Sequence, residues 1–509
     1  MTHAGALWRD EVNSVEFATM PSLSNLYESL RYDSFPMLST LVMRAWVKVG
    51  LGHGDWGFRL LGLVTGVAFL GSLWVACRLL GCPSPLISLT LVGLSPWAVL
   101  TAASVRPYGL GMLLIVLTLA FLWRAIKSPT PRKFVAAGAL AVLSVQCMYQ
   151  NAFLLLAIAV AAGITALLNS RPRTVMAVGL VGVAAAASLV LYVPSISAAR
   201  DWSVVVQTSS TTMAILKVLS GALGSGGVIR IWLWGALALL CATLGILALL
   251  ERRKPASSKG KPNPAVFNAA VLILATLVYL TAVKATRFLT QPWYYVSLMA
   301  LLAPVIESSA WAAARNTAWR IGRIALVLAI AGATVLPGWR QVTERRTNMD
   351  AIASYLETQA AAGDVIVVYP FYIGVSFQRY YRGAAAWMTL PPIEDLRIHR
   401  YDLLKAAEAR SNPIDPILEA MTRSLRSGHR VWLVGGLEKT RVDRPAPAIP
   451  PAPHPKYGWY GGPYFYTWCH QAGYFLNTHA LEREALPAIG RGPVSPYENI
   501  PVFVVSGWQ

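Results

Sequence analysis

Residues 8–18, W-R-D-E-V-N-S-V-E-F-A, and residues 30–36, L-R-Y-D-S-F-P, stand just ahead of a long series of apolar segments. They carry four carboxylates: Asp10, Glu11, Glu16 and Asp33. Acidic side chains at the edge of a bilayer are costly unless they are solvated, paired or used by the protein. The ordinary interpretation of an adjacent Asp-Glu pair is a solvated turn that caps a helix. The alternative interpretation is a functional site, and the rest of the chain bears on that choice.

The composition places the chain among membrane proteins. Of its 509 residues, 55% are hydrophobic and only 13% are charged, whereas ordinary domains carry roughly 25% charge. A net charge of +20 would suggest nucleic acid in a soluble chain, but membrane proteins concentrate Lys and Arg in their cytoplasmic loops. We therefore predict a mainly α, polytopic membrane protein with no nucleic-acid partner.

Apolar runs long enough to cross a bilayer recur along the first two thirds of the chain. We predict about ten spans: 57–79, 85–104, 108–126, 133–149, 152–168, 174–194, 229–250, 265–284, 291–309 and 321–338. The apolar segment that precedes them is interrupted by Arg44 and Lys48, which is typical of an amphipathic helix at the membrane interface. The predicted division is a first external loop with this helix over 1–56, a transmembrane bundle over 57–338 and an external domain over 339–509.

The basic residues of the loops indicate how the spans are oriented. One set of loops carries fifteen Lys and Arg residues, whereas the opposite set carries five: Arg106, Arg200, Lys217, Lys284 and Arg287. Because basic loops stay in the cytoplasm, segments 1–56, 195–228 and 339–509 are predicted to face the exterior. Segment 1–56 must then cross the membrane without a leading helix. We expect either that a first transmembrane helix is missing from the chain as given, or that the next span assists translocation.

Beyond residue 338 the hydropathy falls, and the pattern becomes that of a small α/β domain. Strands and helices alternate there, with strands at 364–369, 430–435 and 501–505 and helices at 348–362 and 414–425. Continuous apolar strands between helices predict a largely parallel sheet. An aromatic tract over 457–468, Y-G-W-Y-G-G-P-Y-F-Y-T-W, is interpreted either as a platform for an acceptor glycan or as a loop anchored at the membrane interface.

Several motifs together resemble one family. Trp8-Arg-Asp-Glu-Val-Asn-Ser is similar to the W-x-D-E-x-x-S signature in the first external loop of bacterial glycosyltransferases of the GT-C fold. These are relatives of protein O-mannosyltransferases and of the lipid A aminoarabinose transferase. Asp33-Ser-Phe-Pro-Met-Leu resembles the family's D-x-x-P-P-L-type segment, and Ser104-Val-Arg-Pro-Tyr-Gly-Leu its more specific A-R-P-Y-A-L segment. The resemblance covers residues 1–340 and implies a GT-C bundle.

The chain also departs from the family pattern. Arg287-Phe-Leu-Thr-Gln-Pro resembles the R-Y-L-x-P motif, but Phe288 replaces Tyr and Gln291 is inserted before the proline. Tyr149, Gln150 and Asn151 occupy a hairpin where many close members have a His. These differences bear on the donor sugar more than on the type of reaction.

The resemblance implies transfer of a sugar from a polyprenyl-phosphate donor to a lipid, polysaccharide or protein acceptor, on the periplasmic face of a bacterial inner membrane. Asp10 matches the family's catalytic Asp, so it is expected to be the base that deprotonates the acceptor hydroxyl. A carboxylate near an apolar boundary gains proton affinity, which suits that role. Glu11 is the second predicted catalytic residue and would orient the loop or stabilise charge.

A leaving phosphate gains negative charge, which guanidinium and ammonium groups can neutralise. The predicted substrate-binding set is therefore Arg106, Lys284 and Arg287, together with Asp33, Tyr108 and Gln150. Lipid headgroups are the alternative partners of the three cations, a helix cap is the alternative role of Asp33, and a plain turn is the alternative at the hairpin.

No metal ligands are predicted, since no His or Cys residues have ligand spacing. Some GT-C enzymes use a divalent cation, so a cation cofactor is left open. Two rival functions also remain: a flippase or transporter of lipid-linked glycans, and a non-catalytic glycan-binding subunit of an envelope complex. A transporter is disfavoured, because its charged groups would be expected at mid-membrane on broken helices. Substituting Asp10 should abolish an enzyme, slow a flippase and spare a binding subunit.

Overall fold

The computed structural model describes residues 4–208, 211–225, 227–251, 262–313, 317–436, 448–490 and 492–509. The chain forms two compact units. The terminal unit consists of Met1–Ser34, Pro194–Thr208 and Thr343–Gln509, and the helical unit consists of Phe35–Val193 and Ser209–Val342. The sequence-based division at residues 56 and 338 therefore differs from the observed one, because the acidic N-terminal segment packs with the C-terminal domain in one unit.

Eight helical segments among the described residues are long and apolar enough to cross a membrane: Gly54–Leu79, Tyr108–Lys127, Gln150–Leu167, Pro172–Ser203, Ile229–Glu251, Pro264–Thr286, Pro292–Ala313 and Thr317–Leu336. This confirms a multi-pass helical fold, but ten spans were predicted. The predicted span 133–149 is the 17-residue helix Pro131–Cys147, and the predicted span 85–104 is broken. Six basic residues used to orient the spans lie outside the described residues: Arg252, Arg253, Lys254, Lys259, Lys261 and Arg315.

The broken span shows why its apolar run does not make one helix. It consists of helix Leu86–Ser88, a π-helical turn Leu89–Gly93 and helix Pro96–Ala102. Pro96 stands at the first position of the second helix. A proline lacks the N–H that would continue a preceding helix and disfavours helical geometry at the residue before it. The π turn and the proline therefore divide the run.

Arg230 satisfies carbonyl groups that this break leaves without helical partners. Its fully buried guanidinium donates to the carbonyl oxygen of Leu94 at 3.4 Å and to that of Leu91. Irregular backbone at membrane depth requires such internal partners, because no water is there to supply them. The buried cation thus has a structural role in the helical unit.

The remaining regular elements of the helical unit are shorter. Helix Leu38–Lys48 lies where an amphipathic interfacial helix was predicted. Thr40 and Met43 are buried on this helix, whereas Leu41 and Val42 are exposed. The other elements are the helix Thr212–Leu223 and the 3-10 turns Leu189–Tyr192 and Pro292–Tyr295, and the last long helix extends over Thr317–Thr343.

The terminal unit contains a five-stranded sheet: β1 (Val365–Val368), β2 (Ala386–Thr389), β3 (Val431–Val434), β4 (Glu482–Ala485) and β5 (Val502–Ser506). The strand order is β2-β1-β3-β5-β4. β1 is parallel to β2 and β3, whereas β5 is antiparallel to β3 and β4. The sheet is therefore mixed, and the predicted largely parallel sheet is corrected. Two strands, β2 and β4, were missed. The sequence of β4, E-R-E-A, has no apolar alternation that would signal a strand.

Helices cover both faces of this sheet, which explains the continuous apolar strands. Ile366 packs with helix Met349–Gln359 on one face, and Val367 packs with helix Asp415–Arg426 on the other. The unit's other helical elements are Arg9–Ala18, Leu23–Ser29, Leu30–Tyr32, Val193–Ser203, Phe371–Ile373, Gly374–Tyr380, Tyr401–Glu408 and Gly461–His479. Most of the aromatic tract thus belongs to a helix that begins at Gly461, and the predicted loop is corrected there.

Candidate functional site

The acidic motif lies at the start of a helix and not in a loop. Helix Arg9–Ala18 has Trp8 as its N-cap, and Asp10 and Glu11 occupy its first turn. Carboxylates are favoured at this position by the partial positive charge of the helix N-terminus. The residues that the helix buries are Glu11, Val12, Asn13, Ser14, Val15, Phe17 and Ala18. The helix is therefore packed firmly into the terminal unit.

The two adjacent carboxylates have different surroundings. The Glu11 side chain is fully buried, and its Oε2 accepts a hydrogen bond from the Trp8 backbone N–H at 3.4 Å. This is half of the reciprocal arrangement that caps helices. The Asp10 side chain is 26% exposed. Glu11 thus holds the start of the helix, while Asp10 is the partly exposed carboxylate of the pair.

Arg9 is anchored by a carboxylate from the far end of the chain. Its Nη1 lies 3.0 Å from Oε2 of Glu498, and its backbone N–H donates to the same oxygen at 3.2 Å. The guanidinium also lies over the ring of Tyr372, 4.8 Å from the centroid. Burial raises the pKa of Glu498 to about 7, against the opposing effect of Arg9. Glu498 therefore both pairs with Arg9 and caps the first turn of the helix.

Asp10 lies between a cation and an imidazole. Its Oδ1 is 3.5 Å from Nε2 of His399 and 3.9 Å from Nε of Arg9. The backbone N–H of His399 donates to Oδ1 of Asn13 at 2.8 Å, one turn farther along the same helix. His399 is thus held beside Asp10 by a second contact with the helix.

The two outlying carboxylates of the motif make local contacts. Glu16 lies 3.7 Å from Arg379, and burial raises its pKa against the opposing charges of Arg379 and Arg397. Asp33 ends a 3-10 turn, and its Oδ1 accepts from the Ser34 backbone N–H at 2.7 Å. These contacts fit a supporting role for Glu16 and a turn-stabilising role for Asp33.

The predicted cationic residues belong to the helical unit. Arg106 stands just before helix Tyr108–Lys127, and its guanidinium lies 4.8 Å from the centroid of the Phe35 ring. Tyr108 is buried and packs edge-on against the same ring at 5.6 Å. Phe35 therefore contacts two of the three residues of the R-P-Y segment, Arg106 and Tyr108.

Lys284 and Arg287 stand at the end of helix Pro264–Thr286, and both are exposed. Lys284 Nζ donates to Oγ1 of Thr212 at 3.0 Å. Arg287 terminates the helix with a φ of 56°, in the left-handed region. Cations are favoured at a helix C-terminus, where the helix dipole is negative. This helix end therefore carries two positive charges within one turn.

The predicted polar hairpin is the beginning of a helix. Gln150 is the first residue of helix Gln150–Leu167, and its Oε1 accepts a hydrogen bond from the Tyr279 hydroxyl at 3.0 Å. Asn151 is buried and donates to the carbonyl oxygen of Gly111 at 3.0 Å. Both side chains thus contribute to helix packing at this position.

Sequence reasoning missed the residues that surround Asp10. His399 and Glu498 belong to no motif, and each is separated from Asp10 by more than three quarters of the chain. Only the tertiary fold of the terminal unit brings them together. Within the described part of the chain, no group of three or more His, Cys, Asp or Glu side chains could hold a metal ion.

The chain is similar in fold to solved membrane glycosyltransferases. It matches the structure of ArnT from Cupriavidus metallidurans bound to undecaprenyl phosphate with a TM-score of 0.51 and 14% identity, over 85% of this chain and 90% of that chain. The match to the apo state of the same protein has a TM-score of 0.50 and 13% identity, over 85% of this chain and 89% of that chain. The match to an oligosaccharyltransferase of Archaeoglobus fulgidus, in complex with Zn and sulfate, has a TM-score of 0.49 and 12% identity, over 84% of this chain and 64% of that chain.

No protein-family model matches the chain, and no curated protein matches it. The chain nevertheless has the GT-C fold, a polytopic helical bundle combined with a small α/β domain. ArnT, the lipid A aminoarabinose transferase, has this same fold. The resemblance inferred from the motifs of residues 1–340 is thereby confirmed at the level of the fold.

Proposed function

We propose that this protein is a membrane glycosyltransferase that moves a sugar from a polyprenyl-phosphate donor to an envelope acceptor on the external face of the membrane, with Asp10 as the base. The acceptor is a lipid, a polysaccharide or a protein. The observation that carries the proposal is the position of Asp10, a partly exposed carboxylate at a helix start with an imidazole at 3.5 Å. The shared fold with ArnT, whose structure was solved with undecaprenyl phosphate, supports the class of donor.

The surroundings of Asp10 suit a base. Arg9 is engaged by Glu498 at 3.0 Å, which is closer than its 3.9 Å approach to Asp10. Its charge is therefore balanced mainly by Glu498. Glu11 is proposed to support this geometry through its hydrogen bond to the helix start.

The proposed reaction is a single displacement. Asp10 removes the proton of an acceptor hydroxyl as its oxygen bonds to the anomeric carbon. The bond from that carbon to the phosphate oxygen breaks, and its electron pair leaves with the polyprenyl phosphate. Attack opposite to the leaving group inverts the configuration at the anomeric carbon.

The developing charge on the leaving phosphate calls for cations. We assign this role to Arg106, Lys284 and Arg287. Support comes from the pair of exposed positive charges at one helix end and from the ordered guanidinium of Arg106. Asp33, Tyr108 and Gln150 remain proposed substrate contacts. The carboxylate of Asp33 also stabilises a local turn.

Transfer from purified donors tests the function. The full-length protein in detergent is incubated with a panel of polyprenyl-phosphate sugars and an envelope extract as acceptor source. Incorporated sugar, released polyprenyl phosphate and the anomeric configuration of the product are measured. We expect equal amounts of transfer and release with at least one donor, and inversion. Retention would contradict the single displacement.

A liposome assay with the same purified protein distinguishes a glycosyltransferase from a flippase. Reconstituted into liposomes that carry a labelled lipid-linked sugar, a flippase would move the label across the bilayer without cleaving it. Translocation without transfer from any donor would contradict the proposed function, as would binding of glycans without either activity.

A further inference from the structure

The Asp10 carboxylate and the His399 ring are held together by contacts at two levels. The side chains approach to 3.5 Å between Oδ1 and Nε2. The backbone of His399 is fixed separately, through its N–H to Oδ1 of the buried Asn13 at 2.8 Å. Asp10 and Asn13 are three residues apart and lie on one face of the helix. The helix therefore contacts both the main chain and the ring of His399.

The ring of His399 is buried beside Asp10 and lacks a hydrogen bond among the described residues. The residue is only 8% exposed, and within the described part of the chain neither ring nitrogen has a hydrogen-bond partner. A buried ring N–H without a partner is costly. Oδ1 of Asp10 lies 3.5 Å from Nε2, slightly beyond hydrogen-bonding distance. A small closing movement of the ring or the carboxylate would complete the bond.

We propose that His399 is the positioning residue of Asp10: its Nε2–H holds a carboxylate oxygen and thereby orients the carboxylate toward the acceptor hydroxyl. This inference rests on the proposed function and adds to it a residue from the C-terminal part of the terminal unit. This hydrogen bond would fix the orientation of the base.

The opposite assignment, with His399 as the base and Asp10 behind it, fits the structure less well. The side chain of Asp10 is 26% exposed and that of His399 is 10% exposed. Both ring nitrogens are buried, so an acceptor reaches the carboxylate before it reaches the ring. Other titratable groups near the pair are Arg9, Glu498, Tyr372 and Tyr401.

The test compares two substitutions of His399 that differ in one property. His399→Gln keeps an N–H donor near the position of Nε2, whereas His399→Ala removes it. Turnover and the donor KM are measured on the full-length protein in detergent, together with the melting temperature. His429→Ala is the matched control, because His429 is an exposed histidine of the same unit.

For His399→Ala we expect turnover to fall on the order of 10- to 100-fold, with little change in the donor KM, since misplacing a catalytic group costs rate and not binding. His399→Gln should restore turnover to within a few-fold of wild type, and His429→Ala should match wild type. Equal losses in the Ala and Gln variants would overturn the proposal, because a glutamine N–H would then not replace the imidazole.

Comparison with Asp10→Asn keeps the inference apart from the function on which it rests. If Asp10→Asn is inactive while His399→Ala has wild-type turnover, Asp10 remains the base and the role of His399 is refuted. If Asp10→Asn transfers sugar as well as wild type, the proposed base is refuted, and the positioning role falls with it.

Discussion

Glu408 offers a quantitative prediction about the stability of the terminal unit. Its side chain is fully buried, and neither carboxylate oxygen has a hydrogen-bond partner in the described part of the chain. Burial raises its pKa from 4.5 to about 8, although Lys405 opposes the shift. Lys405 is itself paired with Asp201 at 2.5 Å. The buried carboxyl group is therefore protonated at neutral pH in the folded protein.

The sign of the pH dependence follows from this shift. Between pH 4.5 and about 8 the folded protein holds a proton on Glu408 that the unfolded chain has released. The contribution of this group to the free energy of unfolding is therefore complete below pH 4.5 and is lost as the pH rises to about 8. The slope is about 1.4 kcal/mol per pH unit, or about 2–3 kcal/mol between pH 6 and pH 8. Glu408→Gln removes this titration, so the variant should gain that amount relative to wild type over the same interval.

Urea unfolding of the full-length protein in detergent, followed by tryptophan fluorescence from pH 5 to 9, measures the effect. The difference between wild type and Glu408→Gln isolates this one group, since the other titrations cancel. Glu419→Gln, at an exposed carboxylate on a neighbouring helix, should run parallel to wild type. Parallel curves for Glu408→Gln as well would refute the reasoning.

Two further substitutions test other buried charges. Glu498→Ala should lower the free energy of unfolding by about 2–4 kcal/mol, because it leaves the partly buried Arg9 without its closest carboxylate. Glu498→Gln should cost less, and a loss below about 1 kcal/mol for Glu498→Ala in the same urea titration would contradict the anchoring role. Arg230→Met should cost about 1–3 kcal/mol for each of the carbonyls of Leu91 and Leu94 that loses its donor, read as a lower melting temperature; an unchanged value would show that the broken helix does not depend on this guanidinium.

The fold class was predictable because its signal is local and repeated. Apolar runs of about 20 residues indicate membrane spans wherever they occur, and eight such helices are present among the described residues. The prediction of one continuous span over 85–104 was wrong because hydropathy alone does not reveal the helix break at Pro96. Three continuous apolar strands of the sheet, β1, β3 and β5, were predicted, whereas both edge strands, β2 and the polar β4, were missed.

The candidate site could be predicted only in part, because its residues come from distant parts of the sequence. The family motif draws attention to Asp10, but the partners of Asp10 come from sequence-distant segments without a motif of their own. His399 follows an irregular stretch, and Glu498 precedes the last strand. Their contribution depends on packing across the whole terminal unit, which no single stretch of sequence encodes.

The central claim is that Asp10 is the base of a sugar transfer from a polyprenyl-phosphate donor. Its most direct test is the initial rate of transfer by wild type, Asp10→Asn and Glu28→Gln, the last being an exposed carboxylate of the same N-terminal segment. Asp10→Asn keeps the size of the side chain and removes its basicity. The account predicts a loss of 100-fold or more, on the order of general-base contributions, with Glu28→Gln unchanged. Equal rates for wild type and Asp10→Asn would contradict it.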